Sequence, residues 1–256
     1  MSRHQFTPRG QPSLAPLLSS DSPPRLSAAR RILPLNFDPN KQFSAFLFDM
    51  DGTLLTSIAA AERVWGVWAQ RQGLDPVAFL PTMHGQRAID TIRRLKLPGL
   101  DPEIEAEKIT NAEIDDVQGV AAIAGAAEFL AALPADRWAI VTSASKKLAQ
   151  RRLEAAGLSM PSVIVTGEDV AAGKPDPQCF LLAAKRLGFP AANCLVFEDV
   201  EAGVKAGKAA GADVVVVTAA GHCLDSPRNP TIDDYMKAVP VVAADGLLSI
   251  RFADPR

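Results

Sequence analysis

The chain has 256 residues, 48% of them apolar and 22% charged, with a formal net charge of −2. That apolar content excludes a globally disordered chain. The near-neutral charge excludes a general attraction to nucleic acid or to anionic membranes, and no apolar run reaches the roughly 18 residues of a spanning helix.

Residues 1–42 differ from the rest. They hold seven of the 20 prolines, and six basic residues (Arg3, Arg9, Arg25, Arg30, Arg31, Lys41) face only Asp21 and Asp38. This stretch is +4 and the remainder −6, and such Ser-, Pro- and Arg-rich text is expected to be a disordered extension. Organelle targeting is the alternative, because transit peptides are also Arg- and Ser-rich, but the prolines oppose the amphipathic helix they need.

From Phe43 short apolar runs alternate with helical text. The first strand is expected at Phe43–Asp49. No strand is expected from Ile58 to about Val120, where Ala61, Val64, Trp65 and Trp68 form an i, i+3, i+4, i+7 stripe. Helical text resumes at Gln86–Leu95 and Pro102–Asp116, with Gly73, Pro76, Pro98, Gly99 and Pro102 as breaks. Trp65 and Trp68 read as the core of this small bundle. Further on, helices at Ala126–Leu133, Lys146–Ala156, Cys179–Leu187 and Ala202–Ala210 are interleaved with strands at Trp138–Thr142, Val163–Thr166, Cys194–Phe197 and Val214–Thr218. This alternation predicts an α/β fold, a mostly parallel sheet with helices on both faces. Residues 43–57 and 121–256 would form the core, and 58–120 an all-helical cap inserted after the first strand. Cys179, Cys194 and Cys223 form no CxxC pair and read as reduced thiols of a cytoplasmic protein. A monomer is expected, since no long apolar stretch is left over for an interface. Cys223–Lys237 carries no legible motif, and no catalytic part is expected of His222 or Tyr235.

Ligands of such sheets bind at the carboxyl ends of the strands, and four polar features fall there. They are Asp49-Met50-Asp51-Gly52-Thr53, Thr142-Ser143-Ala144-Ser145, Gly173-Lys174-Pro175-Asp176-Pro177 and Glu198-Asp199. Each alone has a plain reading: a calcium-binding turn, a helix N-cap, an ordinary turn, a second cap. The calcium reading fails because Thr53, Leu54 and Leu55 follow where further ligands are needed. Together the four supply carboxylates for a hard cation such as Mg²⁺, one ammonium and a phosphate-holding hydroxyl, the parts of a phosphoryl-transfer site. One carboxylate can act as nucleophile and a second, two residues on, as acid and base.

In that order these motifs resemble those of the haloacid dehalogenase superfamily, over nearly all of Phe43 to about Val242, and the helical insertion is similar to the small cap of its phosphatase branch. The resemblance implies a Rossmann-like fold and Mg²⁺-dependent hydrolysis of phosphate monoesters. Asp49 matches the aspartyl nucleophile and Asp51 the general acid/base, which also lends its main-chain carbonyl to the metal. Lys174 matches the charge-balancing lysine, and Asp199 with Glu198 the metal-binding acids. Either Thr142 or Ser143 matches the phosphate-binding hydroxyl.

Substrate choice in this design belongs to the cap. Met83-His84-Gly85-Gln86-Arg87 looks like the His-Gly segment in caps of sugar-phosphate and polyol-phosphate phosphatases, with His84 and Arg87 as expected substrate-binding residues. The expectation is therefore a phosphatase of small sugar or polyol phosphates. Two alternatives stand beside it. One is a sugar phosphomutase of the same fold, whose cap would hold a second phosphate through Arg87, Arg93 or Arg94. The other is a non-catalytic binding module.

Overall fold

A computed structural model of the chain describes residues 1, 38, 40–221 and 229–252. The expected disordered extension falls almost wholly outside the described residues, as do His222 and Cys223. Contacts divide the chain into two units, 1–32 and Leu33–Arg256, and all the described secondary structure lies in the second.

The chain runs through β1 (Ala45–Phe48), β2 (Leu55–Thr56), α1 (Ile58–Arg71), α2 (Pro76–Phe79), α3 (Ala88–Leu95), α4 (Pro102–Asp115), β3 (Ala121–Ala122), α5 (Ala126–Ala131), β4 (Trp138–Val141), α6 (Lys146–Ala156), β5 (Ile164–Val165), α7 (Gln178–Leu187), β6 (Cys194–Glu198), α8 (Glu201–Ala209), β7 (Asp213–Val217), β8 (Thr231–Ile232), β9 (Ala238–Val242) and β10 (Leu248–Phe252). Short 3-10 turns add Leu80–Thr82 and Ala191–Asn193.

Side chains of β1 alternate between the faces of the sheet. Phe46 and Phe48 enter one apolar cluster with Phe129, Leu153, Phe197 and Tyr235. Ala45 and Leu47 enter another with Val141, Phe180, Ala183, Val196 and Val204. Helices α5 and α6 thus cover one face, and α7 and α8 the other. Burial on both sides explains why these strands read as unbroken apolar runs. The six-stranded sheet has the order β5-β4-β1-β6-β7-β8 and every pairing in it is parallel. Phe48 lies opposite Ile140 on one side and Phe197 on the other, so the residues just beyond these strands share one edge.

Three features lay beyond the sequence reading. Strands β2 and β3 pair antiparallel, Leu55 with Ala122 and Thr56 with Ala121, where the chain leaves the core and returns from helices α1 to α4. Two residues per strand are too few for a periodic signal. Strand β8 adds a sixth member to the sheet, and β9 with β10 forms a hairpin. Leu248 of that hairpin exchanges two main-chain hydrogen bonds with Phe43, both 2.8 Å.

The cap has its own apolar cluster of Ala61, Trp65, Trp68, Ala69, Phe79, Met83, Ile92 and Ile109. Its longer helices α1 and α4 supply opposed apolar faces, and α4 is started by Asp101, whose carboxylate accepts from the Glu103 and Ile104 amides at 3.0 and 3.1 Å. No helix among the described residues is long and apolar enough to cross a membrane.

Candidate active site

The site begins where β1 runs out of apolar residues. Asp49 is still held in the sheet, its amide donating to the Phe197 carbonyl at 2.9 Å, and it is 5% exposed. The chain then turns sharply at Gly52, whose φ is +88°. A Cβ at Gly52 would lie 2.0 Å from Asp199 Oδ2, so the turn and the neighbouring carboxylate both require glycine. Thr53 donates its hydroxyl to Asp199 Oδ1 at 3.3 Å, and its own carbonyl accepts from the buried Tyr235 hydroxyl at 3.1 Å.

Strand β6 delivers Glu198 and Asp199, both essentially buried. Glu198 Oε2 accepts from the amides of Asp199 and Val200 at 3.0 and 3.3 Å. The carboxylate sits against Gly203, where a Cβ would come within 1.7 Å of Oε1. Lys174, from the loop before α7, spends its three donors on Asp49 Oδ1 (2.5 Å), Glu198 Oε1 (2.6 Å) and the Val141 carbonyl (3.2 Å).

Burial pushes the Asp49 carboxyl up to about 7 against the pull of Lys174, with Glu198 and Asp51 adding to the rise. Burial likewise raises Glu198, and Lys174 again opposes. Burial also works against the charge on Lys174, but the two carboxylates outweigh it and hold its pKa above the usual lysine value. Asp49, Glu198 and Asp199 bring ligand oxygens within 4.8 Å of one another. Three carboxylates around one ammonium leave negative charge in excess at a buried point, and an all-oxygen set is what a hard divalent cation takes. The donor set fits a metal ion.

Beside this centre lies a cavity of about 90 Å³ between core and cap, lined by Asp49, Asp51, Thr142, Ser143, His84 and Asp199 among others. The two hydroxyls at the end of β4 differ. Ser143 donates to the Gly85 carbonyl of the cap at 2.9 Å. Thr142 Oγ1 accepts from the Ala144 amide at 3.1 Å, which leaves its proton to be donated. Ser145 caps α6, accepting from the Leu148 amide at 3.3 Å.

In the cap, His84 lines the cavity, with Nε2 3.3 Å from Glu62 Oε1. Arg87 is not at the cavity. Its guanidinium binds Asp90 (2.5 and 2.9 Å) and the carbonyls of Gly167, Val170 and Ala171 (3.2, 2.8 and 3.0 Å). All five N–H donors are used, so the expected substrate contact gives way to a clasp between cap and core. Trp65 and Trp68 pack in the cap core, but Trp65 also forms part of the cavity wall.

Three polar residues at the cavity were missed by the sequence reading. Ser57 donates to Asp51 Oδ1 at 2.6 Å, Arg152 Nη1 lies 3.1 Å from the same oxygen, and Arg152 Nη2 donates to Glu113 Oε1 at 3.0 Å. Burial raises the Glu113 carboxyl, opposed by Arg152. Arg152 sits among the basic residues of α6, a helix whose composition singles out none of them. The available signal was its spacing four residues after Leu148, on the apolar side of the helix.

Residues 43–211 match the family described as haloacid dehalogenase-like hydrolase. The chain is 42% identical to hexitol phosphatase A of Escherichia coli strain K12 over 195 residues, covering 73% of this chain and 88% of the relative. It is 36% identical to 2-deoxyglucose-6-phosphate phosphatase 1 of Saccharomyces cerevisiae, covering 69% and 81%. Among solved structures, a hydrolase from Pseudomonas syringae superposes with a TM-score of 0.64 at 29% identity, covering 71% of this chain and 87% of that one.

Proposed function

The chain belongs to the haloacid dehalogenase-like hydrolase family, and on that premise we propose that it is a Mg²⁺-dependent phosphatase of small sugar or polyol phosphate monoesters. The observation that carries this reading is the buried Asp49–Lys174–Glu198 chain with Asp199 beside it, opening on a small cavity under the cap. The substrate class is supported by relatives named as hexitol and deoxyglucose-phosphate phosphatases and by a cavity whose wall includes the polar side chains of His84 and Thr110.

In this reading an Asp49 carboxylate oxygen attacks phosphorus, and the bond from phosphorus to the leaving oxygen breaks. Asp51 gives its proton to that oxygen, releasing the alcohol and leaving an aspartyl phosphate. Asp51, now a carboxylate, takes a proton from water as the water oxygen attacks phosphorus. Inorganic phosphate leaves, and Asp49 and Asp51 return to their starting states. Lys174 holds Asp49 in place and balances its charge. Thr142 donates to a phosphoryl oxygen, since Ser143 is engaged with the cap. Asp49, Asp199, Glu198 and the main-chain carbonyl of Asp51 would hold Mg²⁺, which when bound neutralises charge on the transferred phosphoryl group.

The mutase alternative needs a cation for a second phosphate. Arg87 is clasped to the core, Arg93 pairs with Glu103, and Arg94 donates to the Thr82 carbonyl. Arg152 does line the cavity, but it is committed to Asp51 and Glu113. A phosphate-release screen over sugar, polyol and nucleotide monophosphates with Mg²⁺ tests the proposal. Release from sugar or polyol phosphates, lost in Asp49→Asn, is expected. Interconversion of sugar phosphates without free phosphate, or release from nucleotides alone, would overturn it.

A further inference from the structure

One ion chain, buried at Glu113 and Arg152 and partly exposed at Asp51, crosses the seam between cap and core. Glu113 lies on α4 in the cap, Arg152 on α6 in the core, and Asp51 on the loop after β1. The side chains of Glu113 and Arg152 are only 8% and 7% exposed. Arg152 divides its guanidinium between Glu113 Oε1 at 3.0 Å and Asp51 Oδ1 at 3.1 Å. Ser57, the residue before α1, donates to the same Asp51 oxygen at 2.6 Å. Both contacts fall on Oδ1, which leaves Oδ2 to carry the proton exchanged with substrate.

We propose that Arg152 is a positioning residue that aims Asp51, and that Glu113 makes this aim depend on the seated cap. A guanidinium spreads five N–H donors around a rigid plane, so a single side chain can grip carboxylates on two different elements. A buried charge is costly without its partner. When the cap lifts, Glu113 leaves with α4 and is hydrated, and Arg152 loses the contact that fixes its rotamer. Asp51 is then held by Ser57 and by an arginine that is no longer braced. With the cap seated, Arg152 is braced from both ends and Asp51 is fixed while water is excluded. The lid therefore does more than cover the substrate: it completes the acid/base. This inference rests on the phosphatase reading and on Asp51 as the proton carrier.

The test exploits leaving-group chemistry. A sugar alkoxide needs a proton from Asp51 to depart, whereas p-nitrophenolate does not. Dephosphorylation of Asp49 needs Asp51 as base in both cases. Arg152→Met keeps most of the buried apolar volume, Arg152→Lys keeps the charge but reaches one carboxylate at a time, and Glu113→Ala removes the brace from the cap.

For Arg152→Met, kcat on the best sugar or polyol phosphate should fall by ~100-fold or more while KM moves much less. In rapid mixing with p-nitrophenyl phosphate the same variant should still release a burst of p-nitrophenolate near one equivalent per chain, followed by slowed turnover. Glu113→Ala should show the same pattern more mildly, the double variant should be no worse than Arg152→Met alone, and Arg152→Lys should recover part of the loss. A raised KM with kcat kept would assign Arg152 to substrate binding and overturn the proposal. Loss of the burst together with a lowered melting temperature in both Arg152 variants would reduce it to a structural ion pair. A wild-type protein that releases phosphate from none of the sugar or polyol phosphates would overturn the phosphatase reading itself, before any variant is compared.

Discussion

Single atoms decide whether the carboxylate centre can exist. Gly52 combines a positive φ with a Cβ position already filled by the Asp199 carboxylate. Gly52→Ala should therefore cost about 2–4 kcal/mol in a denaturant or thermal melt and should weaken metal binding, read by titration with Mg²⁺ or Mn²⁺. Lys174 is the only cation bonded to Asp49 and Glu198 among the described residues. Lys174→Met should leave two buried carboxylates uncompensated, costing about 3–5 kcal/mol, and should abolish phosphate release. Both glycine and lysine were visible in the sequence, because Asp-x-Asp-Gly and Gly-Lys-Pro stand at strand exits. What the sequence could not display is which hydroxyl, Thr142 or Ser143, already donates to a partner within the protein. That depends on the Gly85 carbonyl, 58 residues away in the chain, accepting from Ser143. Arg87 misled for a similar reason: its partners are main-chain carbonyls of a distant loop, which no residue-type pattern announces.

Elements bounded by strong punctuation were legible nearly to the residue. Helix α6 runs from Lys146 to Ala156 as expected, because Ser145 caps its start and Gly157, with φ +68°, ends it. The stretch holding Tyr235 was opaque: its strands are two residues long or lie in a terminal hairpin, and its packing against Phe129, Phe48 and Phe197 is all tertiary. Tyr235 emerges as a strut whose hydroxyl steadies the Thr53 carbonyl in the loop that carries Asp51. Tyr235→Phe should lower stability by about 1 kcal/mol in a chemical melt, with a larger fall in kcat than in substrate affinity. The loop after β5 has its own anchor in Asp169, which bonds Thr166 through amide and hydroxyl (2.8 and 2.7 Å) and Arg186 (2.6 Å). Burial works to raise this carboxyl, but those partners prevail and hold it at about 2, below the ordinary 3.8. A depressed folded pKa contributes stability that is present above pH 3.8 and lost as pH falls toward 2. In urea melts across that window, wild type should lose roughly 1 kcal/mol more than Asp169→Asn, after allowance for solvent screening.

At the scale of the molecule, a parallel sheet presents the reactive groups at one edge and a helical cap closes over them. Two arginines join the halves in opposite directions. Arg87 reaches from the cap into core carbonyls, and Arg152 reaches from the core to Glu113 and Asp51. Arg87→Ala leaves three core carbonyls without their donor and should speed amide hydrogen exchange at 84–90 and 167–173 while the central strands keep their protection. Five of the six sheet strands and the longer inserted helices were readable, because those strands end as short apolar runs at polar motifs and α1 carries an apolar stripe. The seam between them was not, since it is built from polar residues far apart in sequence that no local pattern pairs. The proposed chemistry stands or falls on a division of labour, with Asp49 taking the phosphoryl group and Asp51 moving the proton. Phosphate trapping reads that division at the residue itself: Asp51→Asn protein is mixed with p-nitrophenyl phosphate and Mg²⁺, quenched in acid, digested and mapped by mass spectrometry. One phosphate per chain on the peptide carrying Asp49, with little turnover, is the predicted result. Turnover at the wild-type rate, or phosphate on any other residue, would contradict it.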